Sequence, residues 1–467
     1  MKHLHLLYTL LFGVAVLLFF GLAYPHHLHY QEQYQLFLFD NTYVWEIVKL
    51  PGGVADLLGR FCTQFFLFAW VGALIIALLL SLMQLLLLRL LNVQCSTFNV
   101  QWLYGLTFIP SFLLRLFLLD ENALLGGVWA VLLTLLAIWA CVMAPSGWPR
   151  RILILIAIPV LYWIALGGSH YHRYPTVTPY LLYAAWLSAV ILPFIVRACH
   201  KWLSISSGSK NRGVALFTLH SSLFTFLLVT VVMGSIVWKN ANLKAEKVMQ
   251  YDFMACHQQW NRIIETINAE KPNNQIGVTV QNLALAMHGI LLEHMFDYNQ
   301  NGIAGLLPDV KEDATSPLPT AEAFYQLGMI NVAQRTVFEA QEAILDFQKS
   351  GRCYKRLAQT NLINGQYEVA RKYLTALQKT FFYCDWANET LQLLGNEKAI
   401  ANHSEYGRLR QWAYKDDFYF SDHVTPEMLE SLYSRNPDNR MAYQYLLAYY
   451  MLTGDRKRFN QFMSAKQ

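Results

Sequence analysis

Charge is what the first half of this chain lacks. Of the 36 Lys/Arg and 31 Asp/Glu in 467 residues, residues 1–238 hold only 12 and 6. So few charges cannot give a domain of that length a solvated surface, which excludes a water-facing fold for this half. Paired cysteines are missing too: seven Cys are scattered without CxxC spacing, which argues against a structural zinc site. No GxSxG, HExxH or GxxxxGK run is present, so the familiar hydrolase, zinc-protease and phosphate-loop signatures are absent. The net charge of +5 sits in short loops between apolar runs and implies no nucleic-acid binding.

What fills the first half is long apolar runs. About 20 residues of helix cross a bilayer core, and residues 6–24, 63–88, 102–119, 124–144, 152–167, 178–196 and 216–238 read as seven spans. The first is longer than a signal-peptide core and reads as a retained anchor despite Gly21-Leu22-Ala23. With the N-terminus inside, the inner loops hold Lys2, Arg89, Arg150, Arg151, Arg197, Lys201, Lys210 and Arg212, and the outer loops only Lys49, Arg60 and Arg173. That positive-inside bias predicts a multi-pass bacterial inner-membrane protein with a cytoplasmic N-terminus and a periplasmic C-terminal domain. All six acids of this half, Glu32, Asp40, Glu46, Asp56, Asp120 and Glu121, then fall on outer loops. They either decorate an outward surface or line an outward-facing site.

The first outer loop, residues 25–61, is too polar to span and too aromatic for a free linker. Its pattern suits short helices in the membrane interface, broken apart at Pro51-Gly52-Gly53. Arg115 lies about a turn before Asp120-Glu121 at the end of the third span. It either snorkels or pairs with Asp120, or it holds a lipid phosphate. His26, His27, His29, His170 and His172 share the outer face with these carboxylates. A divalent metal there is conceivable chemically, but no ligand motif supports one and no cofactor is expected.

Residues 239–467 have ordinary soluble composition, with helical periodicity throughout and no strand alternation. If this half is extracytoplasmic, Cys353 and Cys384 are the pair for a disulfide; the alternative is that Cys256, Cys353 and Cys384 are free thiols. Trp260, Tyr383 and Trp386 read as core aromatics. The stretch 301–319 is long for a loop in a compact domain and reads as functional or mobile.

Leu357-Ala358, Gly365, Tyr367, Ala370, Tyr373 and Leu377 resemble the tetratricopeptide (TPR) pattern, in which small residues let two helices pack closely. Weaker matches lie at 320–346, at 442–463 and around Asn282–Gly289. The resemblance implies a stack of helix pairs, which is either a groove for a periplasmic protein or peptide or a purely structural cap. The expected fold class is all-α: a seven-helix transmembrane module, residues 1–238, followed by a helical-repeat domain, residues 239–467.

Tyr30-Gln31-Glu32-Gln33-Tyr34-Gln35-Leu36-Phe37, Pro51-Gly52-Gly53, Gln64-Phe65-Phe66 and His172-Arg173-Tyr174-Pro175 together resemble an uncharacterised family of bacterial membrane proteins. The layout is also similar to the GT-C membrane glycosyltransferases, which use polyprenyl-phosphate-linked sugars. That similarity implies Glu32 as the first-loop base and Asp120 or Glu121 as the acid between the third and fourth spans. Arg115, His172 and Arg173 would be contacts to the lipid phosphate. The chain departs from that pattern in having a lone Glu32 rather than a pair of acids on the first loop. Whether the protein is an enzyme stays open, the other reading being a membrane-anchored scaffold for envelope assembly. A transporter is disfavoured, because ionisable residues are scarce within the spans and no inverted halves are visible.

Overall fold

The computed structural model describes residues 2–94, 105–167, 178–206, 213–309, 317–344, 348–414 and 425–464. Among them every element is helical and there is no strand. The chain divides into two compact units, Met1–Leu243 and Lys244–Gln467.

The first unit is built from apolar helices. Five are long and apolar enough to cross a membrane: Leu4–Ala23, Ala69–Leu91, Leu125–Met143, Trp148–Leu166 and Leu223–Asn240. Two shorter apolar stretches, Gly105–Phe117 and Tyr180–Ile195, fall where the third and sixth spans are expected. The outward faces of these helices are apolar as well: Leu10, Leu78, Leu155 and Val231 are each 60–68 % exposed. In water such a surface would be costly; in lipid it is the expected one. The interior packs Phe12, Val16 and Phe20 of α1 (Lys2–Leu18 and the π turn Phe19–Ala23) against Ile76, Leu80 and Met83 on the helix Ala69–Gln94, with Phe108, Phe112 and Phe117 beside them.

The loop after α1 is itself largely helical. Pro25, whose missing N–H costs nothing at a helix start, opens α2 (Pro25–Glu32). Residues 35–40 are without helix, and Asp40 then caps α3 (Asn41–Val48), its carboxylate accepting from the Thr42 and Tyr43 amides at 2.9 and 3.2 Å. Pro51-Gly52-Gly53 separates α3 from α4 (Gly53–Thr63), as its composition predicts. Gly52 is left-handed (φ 80°), and a Cβ on Gly53 would sit 2.0 Å from the Ile47 carbonyl oxygen. The next span starts at Ala69 rather than residue 63: a 3-10 turn over Gln64–Leu67 and extended backbone at Phe68 keep those residues in the loop.

The second unit is a series of helix hairpins. Pro317–Leu327 pairs with Ile330–Ala343 across left-handed Gly328, and Gly351–Ile363 pairs with Tyr367–Leu377 across left-handed Gly365. Thr425–Arg435 packs on Arg440–Thr453, which ends at left-handed Gly454. Tyr325, Leu327, Leu362, Tyr445 and Leu446 fill the shared core. Two largely buried arginines tie helices of this unit together. Arg352 bonds both oxygens of Asp252 at 2.5 and 2.8 Å, and Arg356 bonds Glu322 at 2.6 and 2.7 Å while lying 3.7 Å over the Tyr325 ring. Cys353 is buried against Leu318 and Leu357, and the Cys384 thiol accepts from the Asn388 amide at 3.4 Å. Both are free thiols, as is Cys256, which is the second of the two readings that the sequence leaves open. The first part of 301–319 is tied down: the Asn282 carboxamide donates to the Gly305 carbonyl at 2.8 Å, and Leu306 and Leu307 are buried. Residues 310–316 lie outside the described set.

Candidate functional site

The acids named from the sequence sit where two distant segments of the first unit meet. The helix Ile109–Phe117, here α5, ends in a tight turn over residues 118–124 before α6 (Leu125–Met143) begins. Helix α2 docks on that turn through side chains that reach backbone. The His27 Nε2–H donates to the Leu118 carbonyl at 3.0 Å. The Gln31 carboxamide donates to the carbonyls of Asp120 and Ala123 at 3.3 and 3.4 Å. Glu32 follows directly on Gln31 and is 6 % exposed. Gln31, the chain neighbour of Glu32, thus touches the turn that carries Asp120 and Glu121, although 88 residues separate Glu32 from Asp120.

Burial shapes the electrostatics of the turn and of the helix docked on it. Burial pushes the Glu121 carboxyl above its ordinary range, and the charge of Asp120 adds to the shift. His27 is lowered to about 4 by burial, against the opposing pulls of the Leu118 carbonyl and the nearby Asp120 charge. It is therefore neutral near pH 7. The Asp120 carboxylate accepts from the Asn122 amide at 2.9 Å, which holds the turn closed.

Arg115 is the unusual group. It is only 7 % exposed, its guanidinium lies 4.4 Å over the Phe19 ring, and its Nε has no hydrogen-bond partner. Among the described residues it makes no ion pair, so the sequence expectation of a bridge to Asp120 is not realised. A buried cation is costly without a counter-charge, and a π face compensates only part of that cost. His172 and Arg173 lie outside the described residues, as does His170. Among the described residues no three His, Cys, Asp or Glu side chains are grouped to hold a metal ion.

Two features of the loop escape the sequence reading. Asp56 and Arg60, one turn apart on α4, form a buried ion pair at 2.8 Å, and α4 lies so close to α6 that a Cβ on Gly59 would come within 2.3 Å of the Gly126 nitrogen. The i, i+4 spacing of Asp56 and Arg60 was the available signal. Gln35 is the second. It is 4 % exposed, and neither its carboxamide oxygen nor its nitrogen has a partner among the described residues. Nothing in a polar aromatic loop announces which glutamine will be buried.

The chain matches a protein family over residues 1–171 and 165–467. It belongs to the family of unknown function DUF6057. No curated protein and no solved structure matches it. The DUF6057 chain therefore inherits no activity from its relatives, and its site has to be read from its own geometry.

Proposed function

We propose that this protein is a membrane glycosyltransferase of GT-C-like layout, taking its sugar from a polyprenyl-phosphate carrier at the outer face of a bacterial inner membrane. The observation that carries the reading is Arg115: a buried guanidinium without a described counter-anion, on the helix that leads into the acidic turn against which the Glu32 helix is docked. An anionic lipid headgroup would supply the missing charge, and a guanidinium suits phosphate geometry.

The chemistry follows from those groups. The acceptor hydroxyl attacks the anomeric carbon, and the bond from that carbon to the phosphate oxygen breaks. The electron pair leaves with polyprenyl phosphate, whose negative charge Arg115 stabilises, with His172 and Arg173 assigned the same task. Glu32 takes the hydroxyl proton as general base. Asp120 and Glu121 orient the acceptor beside it. In this scheme seven spans place the helical unit in the periplasm.

The test is turnover of a labelled polyprenyl-phosphate hexose by the protein in lipid nanodiscs, with an envelope extract as acceptor. Glu32→Gln should lower release of polyprenyl phosphate by about 100-fold or more while lipid binding persists. Wild-type protein with no turnover on any hexose carrier, or a Glu32→Gln variant as active as wild type, contradicts the proposal.

The second reading is a membrane-anchored scaffold with a TPR-like domain, and one observation favours it. A cleft of about 560 Å³ in the helical unit is lined by Asn331, Asn364, Gln366, Tyr367, Arg410 and Tyr414 among others. Such a cleft would suit a periplasmic protein or peptide. Stoichiometric capture of one identified envelope protein by the full chain, lost on Gln366→Ala with Asn331→Ala, would support it.

A further inference from the structure

Three glutamines of the 25–64 loop region are buried, and only two of them are occupied. Gln31 donates to the Asp120 and Ala123 carbonyls, and Gln64 donates to the Phe61 carbonyl at 2.9 Å. Gln35 has neither end satisfied among the described residues. Its backbone has little freedom to swing the side chain out to water. The Gln35 amide donates to the Glu32 carbonyl at 3.4 Å, the Tyr43 hydroxyl donates to the next carbonyl, Leu36, at 2.9 Å, and Leu36 and Phe37 are both buried. A buried carboxamide with no hydrogen bonds carries its full desolvation penalty. Such a group persists where a ligand completes it.

The chemistry of a carboxamide narrows what that ligand is. The nitrogen donates and the oxygen accepts, side by side in one plane. A phosphate offers only acceptors and would leave the Gln35 oxygen unmatched or repelled. A polyprenyl chain offers neither role. A neutral group that presents a donor and an acceptor on neighbouring atoms satisfies both ends, and adjacent hydroxyls on a sugar ring do so.

We infer that Gln35 is a recognition residue that binds a pair of ring hydroxyls on the carrier-linked sugar, three residues along the chain from the Glu32 base. The inference rests on the transferase reading above. It adds that the protein distinguishes the glycosylated carrier from the bare one through the first loop, whereas Arg115 binds the phosphate that both share.

The experiment compares two lipids on the full-length protein in nanodiscs: polyprenyl phosphate and a panel of its hexose glycosides (glucose, mannose and galactose). Wild type should bind one glycoside more tightly than the bare phosphate. Gln35→Met, close in shape and without donor or acceptor, should lose about tenfold or more in affinity for that glycoside. Its affinity for bare polyprenyl phosphate should stay within about twofold, which also reports that the variant is folded. Gln35→Glu, which keeps the acceptor and loses the donor, should lose discrimination as well. Unchanged discrimination in both variants would overturn the inference and leave an ordered water as the occupant of Gln35, with the transferase reading intact. Wild-type protein that binds neither lipid would overturn both.

Discussion

Buried charge in this molecule is held in two ways. In the helical unit, Arg352 and Arg356 are each held by both oxygens of a carboxylate on another helix. In the membrane unit Arg60 is likewise paired, with Asp56, whereas Arg115, as deeply buried, has among the described residues only the Phe19 ring, and neither end of the Gln35 carboxamide has a partner among them. A paired buried charge has its counter-charge within the fold and adds little beyond orientation. An unpaired one is tolerated where something outside the fold completes it. The contrast separates structural polar groups from groups available to a ligand, although the residue types are the same.

Breaking a complete pair should have the largest effect. Asp252→Ala strands Arg352 and should cost about 3–5 kcal/mol in the stability of the helical unit, read by chemical unfolding of the full chain. Next is the backbone contact between α4 and α6. Gly59→Ala inserts a methyl group where the Gly126 nitrogen already stands and should cost about 1–3 kcal/mol, seen as a lower midpoint for the membrane unit. The sharpest form of the comparison is Arg115→Met. Removing an uncompensated buried cation should leave stability unchanged or raise it by about 1 kcal/mol, opposite in sign to Asp252→Ala.

A pH dependence at His27 tests how α2 is docked. An unfolded chain protonates this histidine near its ordinary value of 6.5, whereas burial delays protonation in the fold to about 4. Between those values the unfolded state holds the extra proton, so stability falls as pH drops through the window. Thermal melting at about pH 7 and about pH 5 should show a larger drop for wild type than for His27→Gln. Equal drops would remove His27 from the account.

The helical class, the apolar character of the first half and the break at Pro51-Gly52-Gly53 were legible in the sequence, because each rests on local composition or on a residue that few conformations admit. The start of the second span was misplaced by six residues, because Phe65, Phe66 and Phe68 are as apolar as the helix that follows. The docking of α2 on the 118–124 turn was not legible at all. It depends on side chains that bond to backbone carbonyls about 90 residues away, and such bonds leave no pattern of spacing. For the same reason Glu32 stood out as an acid in a polar loop, while Gln35, a residue type present three times within five positions, did not.

Native mass spectrometry of the gently solubilised protein, wild type beside Arg115→Met, tests the central claim most directly. The account predicts a co-purifying polyprenyl phosphate or its glycoside on wild type, absent from a variant that is equally well folded. The same lipid retained on Arg115→Met, or only bulk phospholipid on both proteins, would contradict it.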